Sequence, residues 1–318
     1  MLFMHKKIFL SPLSGVTDLS FRLICRELGA KFCFFEMVDA NAVLRNYVTT
    51  SRIIKTIKKD SPIAAQLVGS DPSTMLDAAQ KLRDVLNMSF LDINSGCPAK
   101  KVIKKKAGSY LLKDTKRLSE IIKKLSSNLD IPVTVKLRTG FDKKDPKETQ
   151  KIVKLCQDSG ASMIFIHGRT TLQGYSGEVD YESIRAAKEV LKIPVFGSGN
   201  IFNPILAKKM LDETKCDGVL VARGAFGNPW IFKEIENYLK NGKIPASPKF
   251  SIKRKVLKKH LSYIDKYKDM LPANKIGFMR KMAVWYMKGL PNATSLRAGI
   301  CKVNSYDKLI NFIDGIKC

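Results

Sequence analysis

The sequence predicts an α/β fold, a (β/α)8 TIM barrel over residues 1–243 followed by a small all-helical C-terminal domain over residues 244–318. Three observations carry this. Eight short apolar runs, each ending in small or polar residues, recur along the first 225 residues with amphipathic helical stretches between them. Their ends fall roughly 24 to 31 residues apart, with one longer interval of about 43, whereas a barrel of ~250 residues allots roughly 31 to each unit. Past Pro245 the alternation stops and only helical periodicity continues.

The first strand is Ile8-Phe9-Leu10, and it runs into Ser11-Pro12-Leu13-Ser14-Gly15. An open doubly wound sheet would place a Gly-x-Gly-x-x-Gly turn there, so the closed barrel is preferred. The next strands are read at 32–36, 63–67 and 90–94. The last of these alternates apolar and polar residues and breaks at Ser95-Gly96, which leaves Cys97 on a tight turn stiffened by Pro98. The long interval follows. Strands at 133–137, 163–167, 195–198 and 218–222 complete the set, and helices are read at 74–86, 117–125, 150–157 and 181–190. Pro245 and Pro248, with the small residues between them, read as a linker, and the chain is helical from Lys249 onward.

Composition narrows the function. The apolar fraction of 45% supplies a sizeable core. No apolar run approaches the roughly 18 residues that a membrane span needs. Met1-Leu2-Phe3-Met4 is cut off by His5-Lys6-Lys7, which does not make a secretory signal. The seven Cys are scattered, odd in number and never spaced as C-x-x-C, which fits free thiols in a reducing, cytoplasmic setting and argues against a metal site. The net charge of +27 points to a polyanionic partner, nucleic acid above all. The segment 245–318 holds 16 Lys or Arg against 4 Asp or Glu. Lys253, Arg254, Lys255, Lys258 and Lys259 would line one helix there, and Arg280 and Lys281 precede Trp285 and Tyr286, a pairing of cations with aromatics that suits RNA. Trp285 itself reads as core. The chain is taken as a monomer.

Barrel enzymes place their chemistry at the C-terminal ends of the strands. Glu36, Gln66, Asn94, Cys97, Lys136, Arg138, His167, Arg169 and Asn200 all fall at or just past such an end. Gln66 and Lys136 sit between apolar neighbours, where a polar group costs stability unless it has a partner. Cys97 offers a thiol that can give a proton or act as a nucleophile. Gly197-Ser198-Gly199-Asn200 and Ala222-Arg223-Gly224-Ala225 follow strands seven and eight, the loops with which barrels often bind phosphate. Position alone leaves open whether that phosphate belongs to FMN or to a sugar phosphate.

Together these strand ends resemble the tRNA-dihydrouridine synthases, FMN-dependent (β/α)8 enzymes with a C-terminal helical domain. Residues 11–22 look like the family's opening A-P-M-A-G-x-T-D-x-x-F-R. The resemblance continues through Asn94-Ser95-Gly96-Cys97-Pro98, Lys136-Leu137-Arg138 and His167-Gly168-Arg169-Thr170 to Arg223-Gly224-Ala225-Phe226-Gly227-Asn228-Pro229-Trp230. It implies that Cys97 protonates C5 of a uracil while hydride passes between flavin and C6. It places Pro12, Leu13, Ser14, Gln66, Lys136 and His167 on the flavin ring, and Ser198, Gly199, Asn200, Ala222 and Arg223 on its phosphate. Asn94, Arg138 and Arg169 would meet the substrate, and Lys104, Lys105, Lys106, Lys143, Lys144 and the helical tail would meet tRNA. NADPH would be the reductant. Two departures stand out: Leu13 replaces the family's Met, and Ser198-Gly199-Asn200 replaces its usual N-G-D, with loss of a carboxylate. Two other readings are an FMN barrel acting on a free pyrimidine, such as a dihydroorotate or dihydropyrimidine dehydrogenase, and a non-catalytic RNA-binding protein on a barrel scaffold. The first gives no reason for the +27 charge or the basic appendage. Flavin in the purified protein would separate the second from both enzymes.

Overall fold

The structure, a computed structural model, describes residues 7–45 and 47–317. The opening Met1-Leu2-Phe3-Met4 and Cys318 lie outside the described residues. Eight parallel strands close into a barrel in sequence order, β1 (Ile8–Leu10), β2 (Cys33–Asp39), β3 (Ile63–Val68), β4 (Leu91–Ser95), β5 (Val133–Arg138), β6 (Ile164–His167), β7 (Val195–Ser198) and β8 (Gly218–Val221), with β8 paired to β1. β2 departs from expectation. It runs to Asp39, three residues beyond the apolar run, with a register shift against β3 between Phe34 and Met37. Glu36 therefore lies inside the strand rather than at its end.

Each strand buries both faces, as a parallel sheet under helices must. Outward residues such as Leu10, Phe35, Leu67, Ile93, Val135 and Ile166 join the main core with the surrounding helices. Inward residues near the strand starts form a second cluster, in which Phe9, Phe32, Phe34, Phe90, Phe165 and Phe196 fill the barrel interior. Phe32 stacks on Phe90 at 5.1 Å and Phe9 on Phe32 at 4.5 Å. Polar side chains take over toward the strand ends.

The helices start on strong local signals. Asp71, Asp145 and Asn203 each cap a helix with the side chain and are each followed by Pro at the first helical position, a residue that loses no hydrogen bond there. The long interval after β4 is filled by a short helix (Lys100–Ile103), a 3-10 turn (Gly108–Leu112) and the helix Thr115–Asn128.

After the helix Ile231–Asn241 and an exposed connection, four helices follow, Phe250–Tyr267, Pro272–Tyr286, Ala293–Lys302 and Tyr306–Asp314. They pack on the side of the barrel where the chain begins. Phe21 lies 5.7 Å from the buried His260 ring, Lys259 pairs with Glu27 at 2.7 Å, and Lys268 pairs with Asp18 at 2.8 Å. Trp285 is half-buried and stacks on Phe226 at 4.0 Å, in keeping with the expectation that it serves packing. Gly227 permits this approach. Its φ is +65°, and a methyl group there would lie 2.1 Å from the Trp285 carbonyl oxygen. Among the described residues no helix is long and apolar enough to cross a membrane.

Candidate active site

A cavity of about 610 Å³ opens at the C-terminal ends of the strands. Of the residues singled out from sequence, Pro12, Leu13, Ser14, Gln66, Asn94, Cys97, Lys136, Arg138, His167, Ser198, Gly199, Asn200, Ala222 and Arg223 border it. Arg169 stands behind the wall. Lys104, Lys105 and Lys106 are exposed outside the cavity, and Lys105 pairs with Asp39 at 2.9 Å. Met37, Lys101, Tyr175 and Phe202 also border the space, and none of them was assigned to the site from sequence. Tyr175 carried one usable signal, a lone aromatic between Gly174 and Gly177 in the loop after β6. Met37 became inward-facing only through the shift in β2, which no local pattern announces.

The turn bearing Cys97 is held from three directions. Asn94 Oδ1 accepts from the backbone N–H of Gly96 at 3.1 Å and of Cys97 at 2.9 Å. The Arg138 guanidinium, 4% exposed, donates to the Gly96 carbonyl at 2.7 Å and to the carbonyls of Thr170 and Gly174 at 2.9 and 2.8 Å. The 3-10 turn packs underneath, with the Ser109 N–H on the Cys97 carbonyl at 3.1 Å. Gly108 makes that possible, since a Cβ there would fall 2.9 Å from the same oxygen.

Positive charge collects in and behind the cavity. Lys136 is pushed below its ordinary value by burial and by Arg138, while Asp92 and Cys97 oppose the shift. Burial, then Lys136, Arg138, Arg169 and Arg223, hold His167 well below the usual imidazole value, so at neutral pH it is uncharged. Arg169, 2% exposed, donates to the Ser176 and Gly177 carbonyls and to Asn200 Oδ1 at 3.1 Å, and its remaining terminal nitrogen has no partner among the described residues. Arg223 lies over the rings of Tyr175 at 5.1 Å and Phe202 at 5.5 Å. The carboxylate set among these cations is Asp92, which is fully buried and raised by that burial.

A phosphate-bearing flavin suits this donor set. The volume lies within the roughly 300–1,000 Å³ of cofactor sites. Leu13, Leu220 and Phe226 offer apolar surface, and Gln66 and Lys136 offer polar contacts. The Gly199 and Gly224 loops bring backbone close to two arginines, an arrangement matched to a phosphate.

Comparison with known proteins decides the family. A sequence profile described as dihydrouridine synthase matches residues 9–316. The chain belongs to the dihydrouridine synthase family. Among its relatives are tRNA-dihydrouridine synthase B of Pseudomonas aeruginosa, 37% identical over 302 residues that cover 95% of this chain and 90% of that protein. The corresponding Pseudomonas syringae protein is 38% identical over 92% of this chain and 86% of its own length. A probable tRNA-dihydrouridine synthase of Rickettsia conorii is 35% identical over 95% and 90%. Among solved structures, histamine dehydrogenase from a Rhizobium species matches with a TM-score of 0.57 at 11% identity, covering 81% of this chain and 49% of that one. Morphinone reductase matches with a TM-score of 0.53 at 13% identity, covering 73% and 86%. At those identities the likeness is one of fold.

The tail approaches the cavity through Lys281, Trp285 and Lys288. Lys281 donates to the Gly15 carbonyl at 2.7 Å, beside the loop of Pro12, Leu13 and Ser14. Exposed Lys288 lies over Phe202 at 5.9 Å. The basic helix singled out from sequence is less free than its composition implied. Arg254 donates to the Ile316 carbonyl, Lys258 pairs with Asp314 at 2.7 Å, and Lys259 is engaged by Glu27. Charge reversal at Arg254 or Lys258 would therefore break internal contacts as well as any made to RNA. Among the described residues no cluster of three His, Cys, Asp or Glu is gathered for a metal ion.

Proposed function

We propose that this chain is a tRNA-dihydrouridine synthase that reduces the C5–C6 bond of uridines in tRNA, with FMN as cofactor and NADPH as electron donor. One observation carries the reading: Gln66, Cys97, Lys136, His167 and Arg223, from five different strand ends, border a single cavity in a chain that matches the family from residue 9 to residue 316. In this reading residues 1–243 are the catalytic part and residues 244–318 the tRNA-binding part.

Bound in the cavity, FMN supplies the hydride carrier that reduction of C6 requires. Leu13 and Phe226 would give its ring an apolar bed, Gln66 and Lys136 its polar contacts, and the loops of Ser198-Gly199-Asn200 and Ala222-Arg223 its phosphate site. Cys97 delivers the proton to C5 from a turn fastened by Asn94 and Arg138. Lys136 holds positive charge where negative charge develops, and enclosure makes that charge count for more than it would in water. His167 stays neutral, so it offers a hydrogen bond without adding a further cation. A uridine drawn out of tRNA loses stacking worth a few kcal/mol, which lysine–phosphate contacts offset.

The test is incubation of unmodified tRNA with NADPH and the flavin-loaded protein, followed by mass spectrometry of the nucleosides. A gain of two hydrogens on uridine is expected. No gain with flavin bound would overturn the proposal, and reduction of free pyrimidines alone would replace it with the free-base reading.

A further inference from the structure

Behind the cavity, three strands share a hydrogen-bonded chain that begins at Asp92. Strand register sets Asp92 on β4 opposite Gln66 on β3 and Thr134 on β5, all facing the barrel interior. Asp92 is fully buried. Its Oδ1 accepts from the Thr134 hydroxyl at 2.6 Å and its Oδ2 from Gln66 Nε2 at 2.6 Å. Burial raises Asp92 to about 7, and above that pH its carboxylate only accepts, so the Gln66 amide can face it only with nitrogen. That turns Gln66 Oε1 toward Asn94, whose Nδ2 donates to it at 2.8 Å. Asn94 is then fixed as well, and its Oδ1 is left to take the N–H groups of Gly96 and Cys97.

We propose that Asp92 is a positioning residue: its acceptor-only carboxylate sets the donor and acceptor order of Gln66 and Asn94, and through them the turn that presents Cys97. Reversing either amide would bring donor against donor at the next link, and the far end of the chain is the backbone N–H of Cys97. The carboxylate acts at a distance from the reacting atoms and needs no contact with flavin or substrate. Its catalytic meaning rests on the proton-donor reading of Cys97, but the ordering itself does not.

The experiment separates ordering from simple packing. At a pH of about 8.5, above the value of about 7 to which burial raises Asp92, wild type, Asp92→Asn, Thr134→Val and the double variant Gln66→Glu/Asp92→Asn are treated with iodoacetamide as full-length protein, with saturating FMN and without added FMN. Alkylation of the peptide containing Cys97 is followed by mass spectrometry. In Asp92→Asn the new amide offers both a donor and an acceptor, Gln66 is no longer held one way, and the rate at Cys97 rises about five-fold, as expected for loss of one net hydrogen bond. Thr134→Val leaves Gln66 facing its acceptor and keeps the wild-type rate. In the double variant the acceptor-only carboxylate has moved to position 66, the amide at position 92 donates to it, and Asn94 regains its order with the same net charge. Its rate returns to within about two-fold of wild type, the scatter expected of a repaired hydrogen-bond network. A wild-type rate in Asp92→Asn, an equal rise in Thr134→Val, or a double variant no better than the single one would overturn the proposal. Should Asp92→Asn not fold, the double variant decides alone: folded with a wild-type rate supports the ordering, while a raised rate or failure to fold overturns it. Because no tRNA is present, failure here and failure of the proposed activity are separate results.

Discussion

Cys97 is the residue whose surroundings say most about its task. Lys104, Lys105 and Lys106, close to it in sequence, lie exposed beyond the cavity, and the groups that fasten its turn are Asn94 and Arg138. Replacing Cys97 by Ala should leave flavin binding unchanged and lower dihydrouridine formation by about 100-fold or more, the usual size of a lost general acid. Flavin titration and nucleoside mass spectrometry on one preparation check both halves. Wild-type turnover would remove Cys97 from the reaction. Gln66 and Lys136 were legible in the sequence because each interrupts an apolar strand, where burial demands a reason, whereas Pro12, Leu13 and Ser14 were placed by the family resemblance. Asp92 drew no role from the sequence, because its neighbours Gln66 and Thr134 are brought to it only by strand register.

Among the elements, the junction between the barrel and the helix Phe250–Tyr267 is exposed to pH. His260 is 1% exposed, its Nδ1 lies 3.3 Å from the Tyr286 hydroxyl, and its other ring nitrogen has no partner among the described residues. Burial pushes its value down to about 4, against an opposing pull from Asp18. The folded state thus holds a neutral imidazole, while the unfolded chain takes up a proton below about 6.5. The stabilisation is complete above that pH and is lost as pH falls toward 4, by roughly 2–3 kcal/mol at pH 4.5. His260→Gln should flatten this part of the profile, read as the difference between variant and wild type in urea midpoints at pH 7 and pH 4.5. An unaltered difference would place the acid sensitivity elsewhere. The tail's helical character was plain from periodicity. Its docking was not, because Gly227 and Trp285 are far apart along the chain and nothing local ties them.

For the whole molecule, the +27 charge reads differently once ion pairs are placed. Arg254, Lys258 and Lys259 are engaged within the protein, whereas Lys101 at the cavity edge and Lys288 beside Phe202 are exposed next to the opening. Lys101→Glu with Lys288→Glu should weaken tRNA binding and reduce the slope of log Kd against log salt by about 1 to 2, since each phosphate contact contributes roughly 0.7–0.9. A salt titration with an unchanged slope would move the RNA surface elsewhere. Overall architecture was readable because eight regularly spaced strand signals leave few topologies.

The six phenylalanine rings packed inside the barrel have a kinetic consequence. They stopper the far end of the cylinder, so on the proposed reading NADPH and the nucleobase would have to enter by the same mouth, one after the other. Double-reciprocal plots for tRNA at several NADPH concentrations should therefore run parallel, and a family of intersecting lines would mean that both guests can sit down together.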